Sequence, residues 1–346
     1  MDDPTARIVP RLQFLVRELP CVEGRPWDRE ETPRVILVAT CDASCFFDLN
    51  FLRKGFVLSD LTRPEKTGKE EEEPKKPSTE ILRNEIREGL GALEGSAIGL
   101  AISGISAGLD IGFGPFLMAV VRTKLTGEFS EPILALIGAN LYAVGFLFVV
   151  LGRSELFTEQ TTLAVLPVLG GHSRPRALVR LWAIVLAANL AGGAIFAAIL
   201  VLVGPALGII DPVALGQIAE PLLGHPWWVT ILSAVLAGWL MGLLSWLVAA
   251  SRDTISQIVI VWLITTAIGI GHLHHVVAGS VQLFGAYFAG QNVALGELGL
   301  VLLWSTIGNI LGGAFFVGVI KFGHTTYGKR PTQHNLEARV PKEEED

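Results

Sequence analysis

The chain has 346 residues, 51% of them hydrophobic and only 17% charged, with 38 glycines and a formal net charge of −6. Soluble globular chains carry about 25% charged residues. This balance excludes an ordinary water-soluble enzyme, offers no basic surface to nucleic acid, and points to a body that sits in lipid.

Residues 1–76 alternate short apolar patches with charged stretches and end in a charge run containing Glu70-Glu71-Glu72-Glu73. No patch reaches the roughly 18 residues a membrane span needs, and no signal-peptide pattern is present. A disordered, cytoplasmic extension is expected. All three cysteines (Cys21, Cys41, Cys45) lie in it, and the 41/45 pair has no second pair to complete a metal site. Over 77–94, Ile81, Leu82, Ile86, Leu90 and Leu93 recur at helical spacing opposite Glu80, Arg83, Glu85, Arg87 and Glu88. This predicts an amphipathic lead-in helix along the membrane surface, with Ser78 as its N-cap.

The body, 95–321, reads as six membrane spans: 95–121, 132–169, 181–203, 227–250, 255–289 and 298–320. The tail, 322–346, is charged and expected to be disordered. Arg174, Arg176 and Arg180 follow the second span, Arg252 the fourth and Lys321 the sixth. Basic residues favour the inner face, so both termini are expected in the cytoplasm of an inner-membrane protein, with Arg122 and Lys124 against the trend.

The second and fifth spans are too long for one ordinary helix, so each is expected to be broken. The second is interrupted at Arg153-Ser154-Glu155. The fifth lies in a stretch, 254–296, without Asp, Glu, Lys or Arg, and holds Gly269, Gly271, His272, His274, His275 and Gly279. Two full spans in 254–296 would leave unequal halves. Ionisable groups at membrane depth are expensive and usually line a pathway. His272 and His275 could share a helical face, with His274 pointing elsewhere.

An internal repeat supports the breaks. Asn189-Leu-Ala-Gly192-Gly193-Ala194-Ile-Phe196 matches Asn309-Ile-Leu-Gly312-Gly313-Ala314-Phe-Phe316 at an offset of 120 residues. Thr158 and His275 then fall at corresponding interruptions. The fold class expected is an all-α membrane protein of six transmembrane helices in two inverted three-helix repeats, with helices two and five broken. The Gly-Gly pairs serve close helix packing; Asn189 and Asn309 can hydrogen-bond exposed backbone at the breaks, and Gly279 weakens the helix there.

At Glu155-Leu156-Phe157-Thr158 and the paired N-x-x-G-G motifs, over about residues 80–323, the chain resembles the formate/nitrite transporter family. The resemblance implies an aquaporin-like homopentamer that conducts small monovalent anions and needs no cofactor or metal. It implies that His275 is the central pore histidine, Thr158 the loop threonine, and Leu156 the leucine of the outer constriction. Phe146 and Tyr142 would form the inner constriction, and Ile268 lies seven residues before the histidine. Proton sharing with His275 would carry the anion past the constrictions as its acid.

The chain departs from the family pattern at His272, Leu273, His274 and Gly279. It has no lysine between Arg180 and Lys321, leaving His225 as the stand-in for a vestibule lysine. A neutral-solute pore for water, ammonia or hydrogen sulfide, a proton-coupled symporter, and a metal site on His272, His274 and His275 are the alternatives.

Overall fold

A computed structural model describes residues 76–327, which form helices and short connections. The expectations for residues 1–75, including the cysteines, and for 328–346 lie outside the described residues.

α1 (Ser78–Glu94) is the amphipathic helix the spacing predicts, with Ile81, Leu82, Ala92 and Leu93 buried. Ser78 is its first helical residue rather than its cap; Pro77 precedes it and no side chain caps the end. A proline disfavours helix in the residue before it, which is reason enough for the start. α1 packs on several helices of the body. Lys76 Nζ donates to the carbonyls of Ala249 (2.9 Å) and Ser251 (2.8 Å), at the C-terminal end of the helix Trp227–Ala250.

α2 (Ala97–Ile111) and α3 (Phe113–Leu125) make one apolar stretch, begun by Ser96, whose hydroxyl accepts from Gly99 N–H. α4 (Glu131–Gly152) follows, then the short α5 (Phe157–Leu163) and α6 (Val165–Leu169). α7 (Pro175–Ala206) leads to α8 (Pro212–Ala219), a 3₁₀ turn (Glu220–Leu222) and α9 (Trp227–Ala250). α10 (Thr254–Ile270) and α11 (Val276–Phe288) precede α12 (Leu295–Ile310), which continues through a π-helical segment (Leu311–Val319) into α13 (Ile320–Tyr327). Residues 322–327, expected to belong to a disordered tail, are therefore helical.

Among the described residues, five stretches are long and apolar enough to cross a membrane: Ala97–Leu125, Glu131–Gly152, Pro175–Ala206, Trp227–Ala250 and Leu295–Thr325. α10 and α11, of 17 and 13 residues, each fall short of the roughly 20 a crossing needs. This counts against two full spans in 254–296.

The Gly-Gly motifs do what their small size suggests. A Cβ on Gly192 would collide with the Ile105 carbonyl of α2, and one on Gly312 with the Val235 carbonyl of α9. α7 thus lies backbone-to-backbone on α2, and α12 with its π segment on α9. The two short helices cross over: α11 packs against α7 and α2, and α5 against α9 and the π segment. Apolar side chains such as Leu202, Ile255 and Leu295 remain on the outside, as expected of a surface that meets lipid or other apolar groups.

Candidate functional site

The site grows out of two connections with the same backbone geometry. α4 ends in paired bonds, Arg153 N–H to Val150 O (3.3 Å) and Ser154 N–H to Val149 O (3.1 Å). α10 ends in the same way, His272 N–H to Gly269 O (3.2 Å) and Leu273 N–H to Ile268 O (3.1 Å). Such an end needs a left-handed residue, usually glycine. Here it is Arg153 (φ 56°) in one case and His272 (φ 45°) in the other, the two non-glycine residues with positive φ among those described.

These bonds align Arg153 with His272 and Leu156 with His275. Leu156 and His275 each stand immediately before the short helix that follows. Thr158 and His275 are therefore not equivalents, as their spacing implied; they are partners across the fold. None of residues 272–275 is helical, so His272 and His275 share no helical face.

One buried asparagine holds each connection. Asn189 Oδ1 accepts from Phe157 N–H (2.8 Å), and its Nδ2 donates to the Gly104 (2.8 Å) and Glu155 (2.9 Å) carbonyls. Asn309 Oδ1 accepts from Val276 N–H (2.8 Å), and its Nδ2 donates to Ala234 (2.8 Å) and His274 (2.9 Å). Each amide satisfies backbone that the interruption leaves without a helical partner.

His275 caps α11 with its own ring: Nδ1 accepts from Ala278 N–H at 3.1 Å. In a neutral imidazole the proton then sits on Nε2. That nitrogen lies 2.7 Å from Thr158 Oγ1 and donates to it. Thr158 has no other side-chain hydrogen-bond partner among the described residues, which leaves its hydroxyl hydrogen available. The Phe146 ring stands edge-on to His275, centroids 5.0 Å apart, and Tyr142 follows at 5.1 Å from Phe146. His275, Thr158, Phe146 and Leu156 are each at most 1% exposed, so bulk water does not reach them.

A cavity lies toward either end of α4. The larger, about 420 Å³, is lined by Tyr142, Ile268, His272, Gly279, Gln282 and Leu222, among others. The smaller, about 210 Å³, is lined by Lys76, Glu85, Glu88, Arg153, Glu159 and Ser245. Tyr142 and Val150, one on each cavity, are two turns apart on α4, or about 12 Å. Phe146, with His275 against it, lies between them.

The remaining sequence candidates have more local jobs. His274 Nδ1 accepts from the Ser233 hydroxyl (2.9 Å), and its Nε2 donates to the Leu222 carbonyl (3.2 Å). The His225 ring packs on it at 5.6 Å, and its Nε2 donates to Pro221 O (3.1 Å). Two imidazoles thus hold the turn that walls the larger cavity. Gly279 lies in the first turn of α11, where a Cβ would press on Leu222.

The spacing missed Glu85. The Ser245 hydroxyl reaches both of its carboxylate oxygens at 3.0 Å. Burial pushes this carboxyl up to about 8, the Ser245 bond lowers it in part, and Glu88 and Glu159 raise it further. Its helical spacing put it on the polar face, and only the docking of α1 buries it.

The sequence profile of the formate/nitrite transporter family matches residues 79–323, most of the chain. The chain belongs to the formate/nitrite transporter family. It is 30% identical over 236 residues to the inner membrane protein YfdC of Escherichia coli, covering 68% of this chain and 74% of that one. It is 26% identical over 242 residues to the nitrite transporter NirC of Salmonella typhimurium, covering 68% and 86%. Its fold is similar to that of an FNT family ion channel, with TM-score 0.62 at 21% identity over 73% of this chain and 98% of the other. A pentameric formate channel with formate bound matches at TM-score 0.57 and 22% identity, covering 67% and 98%. This family member is a multi-pass membrane transport protein, not an enzyme.

Proposed function

We propose that this transporter is a channel for small monovalent weak-acid anions of the formate and nitrite type. The observation that carries the reading is the buried Nε2–H to Thr158 hydroxyl contact, 2.7 Å long, standing between two cavities. In this reading six spans form two inverted halves, the second span made of α4 with α5 and α6, the fifth of α10 with α11. Both termini face the cytoplasm, five copies assemble in the inner membrane, and each has its own pore.

A bare anion between Phe146, Leu156 and Tyr142 would be far from water, where an isolated charge is very unfavourable. The imidazole offers a chain of donors: Nε2–H to the threonine oxygen, and the threonine O–H to the solute. The anion shares that proton as it passes, and a protonated acid passes more easily still. Full transfer out of the neutral ring is disfavoured, because Nδ1 is occupied by the Ala278 N–H and cannot take up a compensating proton without losing the cap. In the proposed orientation the larger cavity opens outward. Tyr142 and Ile268 then belong to the outer mouth, and Leu156, which follows the opposite end of α4, to the inner side, which reverses the positions assigned to Tyr142 and Leu156 from the sequence.

The test is an uptake panel in proteoliposomes of formate, nitrite, acetate, lactate, hydrosulfide and ammonium at two pH values. Flux of formate and nitrite is expected to exceed the rest. Flux of neutral solutes alone would overturn the anion reading in favour of a neutral-solute pore.

A further inference from the structure

We infer that the Gln282 carboxamide is a recognition subsite for the uncharged acid form of the solute, pairing edge to edge with the O–H and the C=O or N=O of a formic or nitrous type acid. The inference rests on the channel reading above and names the species that this part of the pathway selects.

The polar side chains lining the larger cavity are of two kinds. Arg122, Glu131, Gln217, Glu220 and His272 are exposed or half-buried. Tyr142 and Gln282 lie deeper, only 4% and 6% exposed. Neither makes a side-chain hydrogen bond to another described residue. The buried polar atoms sealed off without a partner among the described residues are those of Gln160, Thr266 and Thr325, so the Tyr142 hydroxyl and the Gln282 amide open onto the cavity instead. A polar group held this deep is unfavourable unless something in the cavity pairs with it.

The helices place both groups along the pathway. His275, Gly279 and Gln282 are spaced by four and then three residues, which puts them on one face at the start of α11. Gln282 is seven residues beyond His275, about 10 Å along the helix, and Gly279 between them has no side chain to block the way. On α4, Tyr142 stands one turn from Phe146, whose ring meets His275. A solute in the larger cavity therefore meets Gln282 and Tyr142 before it reaches Phe146 and the His275–Thr158 contact.

A carboxamide presents an acceptor oxygen and N–H donors side by side. A carboxylic acid presents the complement on one edge: its O–H donates to the amide oxygen while its C=O accepts from the amide N–H. Nitrous acid offers the same edge through O–H and N=O. Both bonds close together and no charge is buried. A carboxylate has no hydrogen to give and leaves the amide oxygen unpaired. The fixed charges do not favour the anion either. Arg122 is tied to Glu131 at 2.6 Å and to Gln217 at 3.0 Å, which leaves the Glu220 carboxylate over, and a protonated His272 does no more than offset it. Selecting the acid ahead of the apolar constriction admits the form that crosses it at least cost.

The experiment is formate uptake by proteoliposomes at acidic pH, in wild type and Gln282→Met, with excess formamide or chloride as competitor. Formamide carries the same donor–acceptor edge without charge; chloride is a bare anion. In wild type, formamide is expected to inhibit and chloride not to. In Gln282→Met the formate KM rises about tenfold, the equivalent of two neutral hydrogen bonds, and inhibition by formamide is lost. The competition needs wild type alone, so it decides the matter even where the variant does not fold. Inhibition by chloride without inhibition by formamide, or an unchanged KM in Gln282→Met, would overturn acid recognition while leaving the channel standing. No formate uptake by the wild type would instead sink the channel reading itself, and the subsite with it.

Discussion

One imidazole ring does two things that compete. Its Nδ1 closes the first turn of α11 and its Nε2 holds Thr158, so the neutral tautomer is built into the helix start. Removing the hydroxyl while keeping the shape separates packing from donation. Thr158→Val is expected to lower formate flux about tenfold, the equivalent of roughly one buried hydrogen bond, whereas Thr158→Ser keeps most of it. Rates of efflux from proteoliposomes read the difference; equal flux in Thr158→Val and wild type would remove the hydroxyl from the pathway. The spacing made both residues legible as candidates. It also misread their relation, because a separation of 117 in an approximate repeat suits equivalents and partners alike. Only the bonds at Arg153 and His272 fix the register.

Among the elements, the two asparagines were the most legible part of the chain. Each repeat motif placed an amide where a helix stops; each makes two hydrogen bonds to backbone there and a third to a carbonyl inside a neighbouring helix, Gly104 of α2 or Ala234 of α9. Asn309→Ala leaves the Val276 N–H and the His274 carbonyl without this partner and removes the tie to the Ala234 carbonyl of α9. It is expected to destabilise the protein by about 2–4 kcal/mol. Thermal unfolding in detergent measures this, and an unchanged midpoint would contradict it.

The lead-in helix was legible as amphipathic, while its docking was not, since Glu85 sits among charged neighbours in the sequence. Its carboxyl is held up to about 8 in the folded protein, above the ordinary carboxylate range. The docked state therefore takes up a proton: its stability is fully present in acid, below the unfolded pKa, and is lost as pH rises through about 8. Protease cleavage within Ser78–Glu94 is expected to rise between pH 7 and 9 in the wild type. Glu85→Gln, which keeps a partner for Ser245, flattens that rise; an equally steep rise in the variant would contradict the docking account.

At the scale of the whole molecule, the long apolar stretches were readable because hydrocarbon thickness fixes helix length. The cavities were not, because each is lined from elements far apart in the chain, such as α4, α10 and the 3₁₀ turn for the larger one. Their separation by buried aromatic and aliphatic groups, with a single imidazole–hydroxyl contact among them, is what the proposed conduction depends on. The most direct measurement is formate efflux from proteoliposomes carrying wild type or His275→Ala, with protein content and oligomer size matched. At least a tenfold slower efflux is predicted for the variant, together with a changed dependence on pH. Identical efflux and pH dependence in the two would contradict a pathway past His275.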